Sequence, residues 1–430
     1  MCVRHSRWPP VRAFREGLGV HPQKLGFAKV WLSASFSNLA DGLFLIGAPL
    51  VALTVTDSPA LIAGLRVAQT LPWFVLGLFV GVLVDRVDRR VLAIYAELLR
   101  GSALMLVAAV AAFGELGLPV LYLAVALAGV AETVADTSTQ TLVPMVVPAE
   151  RRRRANGRLM ATQMVMNDFV GAPLGSLLVA GSVAVAFAVP GGLYLGAGLI
   201  LLTLAGRFSV GRAKRQSVAV DIREGLGVLV RGSVIARLTL YAVVTNLTNT
   251  AFFAVFVVYA VGSGSILGLS GFGYSLLLIA AAVGAISGAL TADRVARVAP
   301  TSVLLTTAVL ALAVCFATPY LVRQPVVIGA AFVLSGFAMA VGSVVNTSLR
   351  QDLVPIHLFG RVAAGLRFLT FGARPVGALA GGLVAEAITP TRLFGVLAVL
   401  VLPLVLVTAR LRVPEAAPAD TTAPDGSQAG

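Results

Sequence analysis

Four carboxylates stand inside long apolar stretches of this chain: Asp41, Glu132, Asp136 and Asp168. An ionisable side chain in hydrocarbon costs about 2.5 to 3.5 kcal/mol on insertion scales, so it faces a water-filled cavity or a partner and marks a route for ions or substrate. Glu132 and Asp136 are four residues apart and share one helix face. Carboxylates so placed can load and release protons, and coupling of proton movement to another process is the chemistry they suggest. The other reading is that one or two of them pair with Arg66 or Arg100, which also interrupt apolar stretches. Glu97 and Arg100, three apart, suit a local pair.

Polar groups on the same stretches are candidates for contact with a substrate: Asn38, Gln163, Asn167, Asn246, Asn249, Asn346 and Arg374. Phe252, Phe253 and Phe256 suit packing or lipid-facing roles, with an apolar cavity wall as the other reading. Gly77, Gly81, Gly284 and Gly288 are expected to let helices approach closely. Enzyme chemistry has no foothold: there is no nucleotide loop, no metal-ligand cluster and no nucleophile beside a base. His5, His21 and His357 lie in or near basic loops, and Cys2 and Cys315 are far apart, so no metal, cofactor or disulfide is expected.

The elements that position these groups follow from composition. The 430 residues are 58% hydrophobic and 12% charged, which is a membrane protein's balance. Apolar runs of spanning length recur, each able to cross roughly 30 Å of hydrocarbon as a helix. We place them near 29–54, 60–84, 91–113, 118–146, 157–180, 183–206, 234–260, 267–291, 301–321, 325–348, 362–386 and 391–410. The expected fold is thus an all-α polytopic membrane protein of twelve transmembrane helices. The basic N-terminus is too long and polar for a cleaved signal peptide, so the first helix is expected to insert uncleaved.

The net charge of +14 fits basic loops better than nucleic acid. "DRVDRR", "AERRRRANGR", "GRFSVGRAKRQ", "DRVAR" and "RQDLVPIHLFGR" alternate with "TDSPA", "GELGLP" and "GSGS". The arginine-rich side is read as cytoplasmic, with both termini there. Arginine far outnumbers lysine, a bias suited to a GC-rich bacterial genome and hence to a bacterial cytoplasmic membrane. Arg151 to Arg154 then serve as topology determinants.

An internal repeat divides the chain. "REGLGV" occurs at Arg15 to Val20 and again at Arg223 to Val228. The shift that superposes the two copies also places Asn38 and Leu39 on Asn246 and Leu247, and "DRVDR" on "DRVAR". "DTSTQTLVP" resembles "NTSLRQDLVP", and "GAPLG" resembles "GARPVG", in the same order. Two six-helix, pseudo-symmetric bundles in parallel repeat follow. The organisation is a cytoplasmic segment 1–28, a first bundle 29–206, a basic linker 207–233 with an amphipathic helix, a second bundle 234–410 and a polar tail 411–430, expected to be disordered. Asp41 aligns with Asn249 and Asp136 with Asn346, so proton coupling is expected in the first half, because an amide cannot release a proton.

"GVLVDRVDRR", Gly81 to Arg90, resembles the G-x-L-x-D-R-x-G-R-R signature between helices two and three of the major facilitator superfamily, and "DRVAR" resembles its weaker second-half echo. "SNLADGL", "ETVADTSTQTLVP" and "REGL" are similar to that superfamily's bacterial drug and siderophore exporters. The glycine of the signature is Asp88 here, the arginine many members carry in helix four is Val125, and "GAPLGS" is an imperfect version of the helix-five antiporter motif, with Gly171 and Gly175 present, Pro173 displaced and Ser176 where glycine is usual.

The resemblance implies two rocking halves with substrate near the midplane, and a multidrug-resistance type of antiport in the plasma membrane. Asp85, Arg86, Arg89 and Arg90 would form a cytoplasmic conformational latch with Asp293, Arg294 and Arg297 as counterpart. The function expected is proton-coupled efflux of amphipathic or hydrophobic small molecules by a monomer, with no nucleic-acid partner. Import or facilitated passage of a specific metabolite, and a non-transporting sensor, stay open as alternatives.

Overall fold

In the computed structural model the described residues are 22–114, 116–209, 224, 226–229, 233–261, 264–354 and 356–411. The first "REGLGV", His5, His21 and the tail beyond 411 lie outside them. Twelve helices among the described residues are long and apolar enough to cross a membrane. They are α1 Pro22–Ala52, α2 Pro59–Arg86, α3 Arg89–Ala112, α4 Leu118–Val146, α5 Ala149–Gly181, α6 Val183–Leu202, α7 Ser233–Ala260, α8 Gly271–Val298, α9 Thr301–Leu321, α10 Pro325–Leu353, α11 Ile356–Ile388 and α12 Pro390–Ala409. The predicted positions hold, and the main differences are at the ends. α8, α10 and α11 run beyond the expected limits at the arginine-rich end, where polar residues let a helix continue outside the apolar layer.

Start signals are local. Ser58 caps α2 by accepting from the Leu61 N–H, with Pro59 in the first turn, and Ser270 does the same for α8 through Gly273. Asp88, which stands where the signature has glycine, is the N-cap of α3: its carboxylate accepts from the N–H groups of Arg90 and Val91 and from that of Phe208 at 2.8 Å. The departure from the signature thus ties α3 to the segment that leaves α6.

Within the first half α3 packs on α4 and α6, and α6 on α1; within the second α8 packs on α10, α7 on α11, and α9 on α10 and α12. The halves meet where α2 lies on α11 and α7 and where α5 touches α8. The repeat converts α2 with α11 into α8 with α5, so these two seams are pseudo-symmetry mates.

Small residues set the crossings. A Cβ at Gly284 would fall on the backbone of Val333, and one at Gly288 on that of Phe337, as expected for α8 against α10. Gly77 and Gly81 correct the expectation: a Cβ at either meets open space, because α2 makes its close approaches elsewhere, with its Gln69 carbonyl against Gly129 of α4 and its Ala63 against Gly382 of α11.

The two cores differ in kind. In the second half Phe252 and Phe256 are fully buried and stack on each other, 5.2 Å between centroids, with Phe316 and Phe394 closing on Phe252 at 4.9 and 4.7 Å. Such ring packing adds about 0.5 to 1.5 kcal/mol per pair beyond area burial. The first half adds a buried ionic cluster to its apolar core.

Candidate functional site

α1, α3 and α6 bring together Asp41, Arg100 and Tyr194. Arg100 is 1% exposed. Its Nη2 donates to the Asp41 carboxylate and lies 2.8 Å from the Tyr194 hydroxyl, and its Nη1 donates to Ser37 Oγ at 3.2 Å. The Tyr194 hydroxyl in turn donates to Asp41 Oδ1 at 2.7 Å. A guanidinium taken out of water is tolerable because its charge and several of its donors are met at once. Glu97 sits 3.8 Å from Arg100 as the secondary partner, so the expected local pair is subordinate to the longer-range one.

Glu132 and Asp136 share one face of α4 as predicted, both half-buried, and each lies in the other's field. The field of Arg100 reaches Asp136, and that of Glu132 reaches Arg66 of α2 and Arg374 of α11. Charged groups therefore run from the α3 core toward the seam between the halves, with the Asp136 and Glu132 carboxylates between Arg100 on one side and Arg66 and Arg374 on the other. The repeat shift takes Asp41 to Asn249 and Arg100 to Ala308, a fully buried residue of the apolar core. Both members of the pair are replaced together in the second half.

A cavity of about 520 Å³ opens between the halves. Its walls come from α1, α2, α4, α5, α7, α8 and α10 and are largely apolar, with Phe44, Val125, Phe253 and Met339 among them. Its polar groups are Arg66, Gln69, Asp168 and Tyr274. Arg66 donates to Gln69 Oε1 at 2.9 Å, one turn along α2. Sequence reasoning had Arg66 only as a possible carboxylate partner. The signal was present, an arginine interrupting the apolar run of α2, but not the direction it faces.

Asp168 reaches the cavity from a π-helical turn, Val165–Gly171, within α5. The extra residue per turn lets α5 crowd α1, where a Cβ at Gly42 would lie 2.6 Å from the Asn167 carbonyl and one at Gly171 2.7 Å from Gly42 Cα. Gly175 meets the Leu43 backbone in the same way. The motif-like Gly171 and Gly175 therefore lie at the α1–α5 crossing, with Pro173 between them on α5.

The other expected cavity residues do not line this cavity, and the reasons are local. Asn38 and Asn246, equivalent in the repeat, both turn their amides back onto the carbonyls of Ala34 and Ala242, at 2.6 and 2.8 Å. Asn346 is held by Arg350, which donates to its Oδ1 at 2.8 Å. Gln163 is exposed, Asn249 is half-buried, and Arg374 lies over the Phe371 ring, 4.9 Å from its centroid. Asn167 keeps a buried Oδ1 with no partner. Of the three phenylalanines, Phe253 alone faces the cavity.

Of the expected latch, the Asp85 side chain lies outside the described residues. Arg90 donates to the carbonyls of Leu201 and Leu202 at the end of α6, and Arg89 to Met145 Sδ, all within the first half. Arg86, Asp293, Arg294 and Arg297 are exposed. At the opposite end the seam is closed directly: Glu386 of α11 accepts from Ser58 Oγ at 2.7 Å and from the Ala60 N–H at 3.3 Å, capping α2 across the halves.

A family profile described as Major Facilitator Superfamily matches residues 30–375. Among solved structures, a bacterial homologue of the human lysosomal transporter Spinster, inward-facing and occupied, is similar with a TM-score of 0.68 at 11% identity, covering 94% of this chain and 96% of that one. A mutant of the nucleoside transporter NupG gives 0.65 at 13%, covering 90% and 99%. No curated protein sequence matches.

Proposed function

The chain belongs to the major facilitator superfamily and is a multi-pass secondary transporter of a small molecule, and on that premise we propose that it exports amphipathic or hydrophobic compounds in exchange for protons. The observation that carries this reading is the pairing of an apolar cavity between the halves with an acidic network confined to the first half. Substrate occupies the cavity and is shielded by Phe44, Phe253 and Met339. Asp41 holds either Arg100 or a proton, and exchange of one for the other loosens α1 from α3 and α6. The seams α2–α11 and α5–α8 then open and close in alternation.

In this proposal the arginine-rich end is cytoplasmic, in a bacterial plasma membrane. Arg86, Asp293, Arg294 and Arg297, exposed in the present state, close that end in the other, and the protein works as a monomer. A transporter-depleted strain expressing the chain should gain resistance to a set of amphipathic compounds in a broad susceptibility screen. The resistance should vanish with Asp41→Asn while the protein still reaches the membrane. Sensitisation to the same compounds would instead point to uptake, as an importer of a specific metabolite requires.

A further inference from the structure

We infer that the substrate is an amphipathic anion whose acidic group is bound by Arg66. The inference rests on the reading of the cavity as the transport site and narrows its substrate class. Arg66 lies on the wall of a cavity otherwise lined chiefly by apolar and aromatic side chains. Among the described residues its guanidinium makes one hydrogen bond, to a neutral amide, Gln69, which fixes the plane of the guanidinium but not its charge. No carboxylate lies within ion-pair distance of it among the described residues.

None of the charged groups nearby forms an ion pair with Arg66 among the described residues. The field of Glu132 reaches Arg66, but Arg374 brings a second positive charge that the same Glu132 must also offset. Asp168 reaches the cavity from α5 on another wall and makes no ion pair with Arg66. Contrast Arg100, which has Asp41 as its protein partner: Arg66 is the cavity cation left for a ligand. Arginine offers a planar fork that matches carboxylates and other oxyanions, with donors to spare after one bond to Gln69. Phe44, Phe253 and Tyr274 supply the aromatic and apolar surface for the body of the molecule.

Three probes of one shape and different charge test this: naphthalene-2-carboxylate, naphthalene-2-methanol and naphthalene-2-methylammonium, titrated into the purified full chain in detergent. The carboxylate should bind about tenfold more tightly than the alcohol, since one hydrogen bond between charged groups supplies that factor or more. Arg66→Gln should erase the preference and Arg66→Lys should keep most of it. The wild-type comparison stands even if the Gln variant does not fold.

Equal binding of alcohol and carboxylate, or tighter binding of the ammonium, overturns the anion inference while leaving the amphipathic cavity intact. Absence of binding by all three overturns both. A charge preference that survives Arg66→Gln but is lost in Arg374→Gln moves the anion site to α11 and refutes the assignment to Arg66.

Discussion

Replacing Arg100 with leucine removes a cation 1% exposed that holds Asp41, Ser37 and Tyr194 together from α3. The lost packing is small, because leucine fills much of the volume. The cost comes from the charge left behind: Asp41 and Glu97 would both face apolar surroundings without a cation. Breaking a buried pair by deleting one partner costs about 3 to 5 kcal/mol. The lower figure of about 3 kcal/mol applies, since the Asp41 side chain keeps 18% exposure and can recruit water.

Arg100→Leu combined with Asp41→Asn removes the orphan charge on α1, leaves Glu97 as in the single variant, and keeps an amide that can still bond Tyr194. The double variant should recover about 1 to 2 kcal/mol relative to the sum of the single losses. Reversible chemical denaturation in mixed micelles measures all four proteins. A loss below about 1 kcal/mol for Arg100→Leu, or strict additivity, would refute the assignment of this cluster as a coupled ionic core.

Other consequences can be checked with ordinary variants. Gly284→Val places a side chain on the Val333 backbone and should destabilise by about 1 to 3 kcal/mol, whereas Gly77→Ala, facing open space, should be neutral or stabilise by up to about 1 kcal/mol; thermal unfolding ranks the pair. Glu386→Ala removes the cap that α11 supplies to α2, worth about 1 kcal/mol, so an Ile62→Cys probe, 2% exposed in the parent, should be alkylated about fivefold faster from the arginine-poor face. An unchanged rate would show that the seam does not depend on that contact. Asp88→Gly, which restores the signature glycine, should lower stability by a few tenths to about 1 kcal/mol through loss of the α3 cap, in the same denaturation assay.

Much of the architecture could be read in the chain because hydrocarbon demands it. Each span needs an unbroken apolar run, and the repeat left matched words at matched depths, so twelve helices and the inequality of Asp41 and Asn249 were visible. Partner choice was not. Arg66 and Arg100 both interrupt apolar runs, yet only helix rotation and crossing place one in the ionic core and the other on the cavity wall.

The asparagines were illegible for a related reason. Asn38 and Asn246 suit substrate contact by type, but the sequence does not show that each amide N–H goes back to the carbonyl four residues earlier on its own helix. Asp88 carried a readable signal, an aspartate just before a helix start, that the resemblance to a glycine-bearing signature obscured. The π turn that presents Asp168 has no pattern of its own in the sequence.

Proteoliposomes carrying the purified chain, loaded with a compound identified by the susceptibility screen and subjected to pH gradients of either sign, test proton-coupled exchange directly. Compound should move against its own gradient only when protons flow the opposite way, reversing with the sign of the pH gradient, and Asp41→Asn should leave only downhill flux. Movement indifferent to the sign of the gradient, or fully coupled transport by Asp41→Asn, would contradict it.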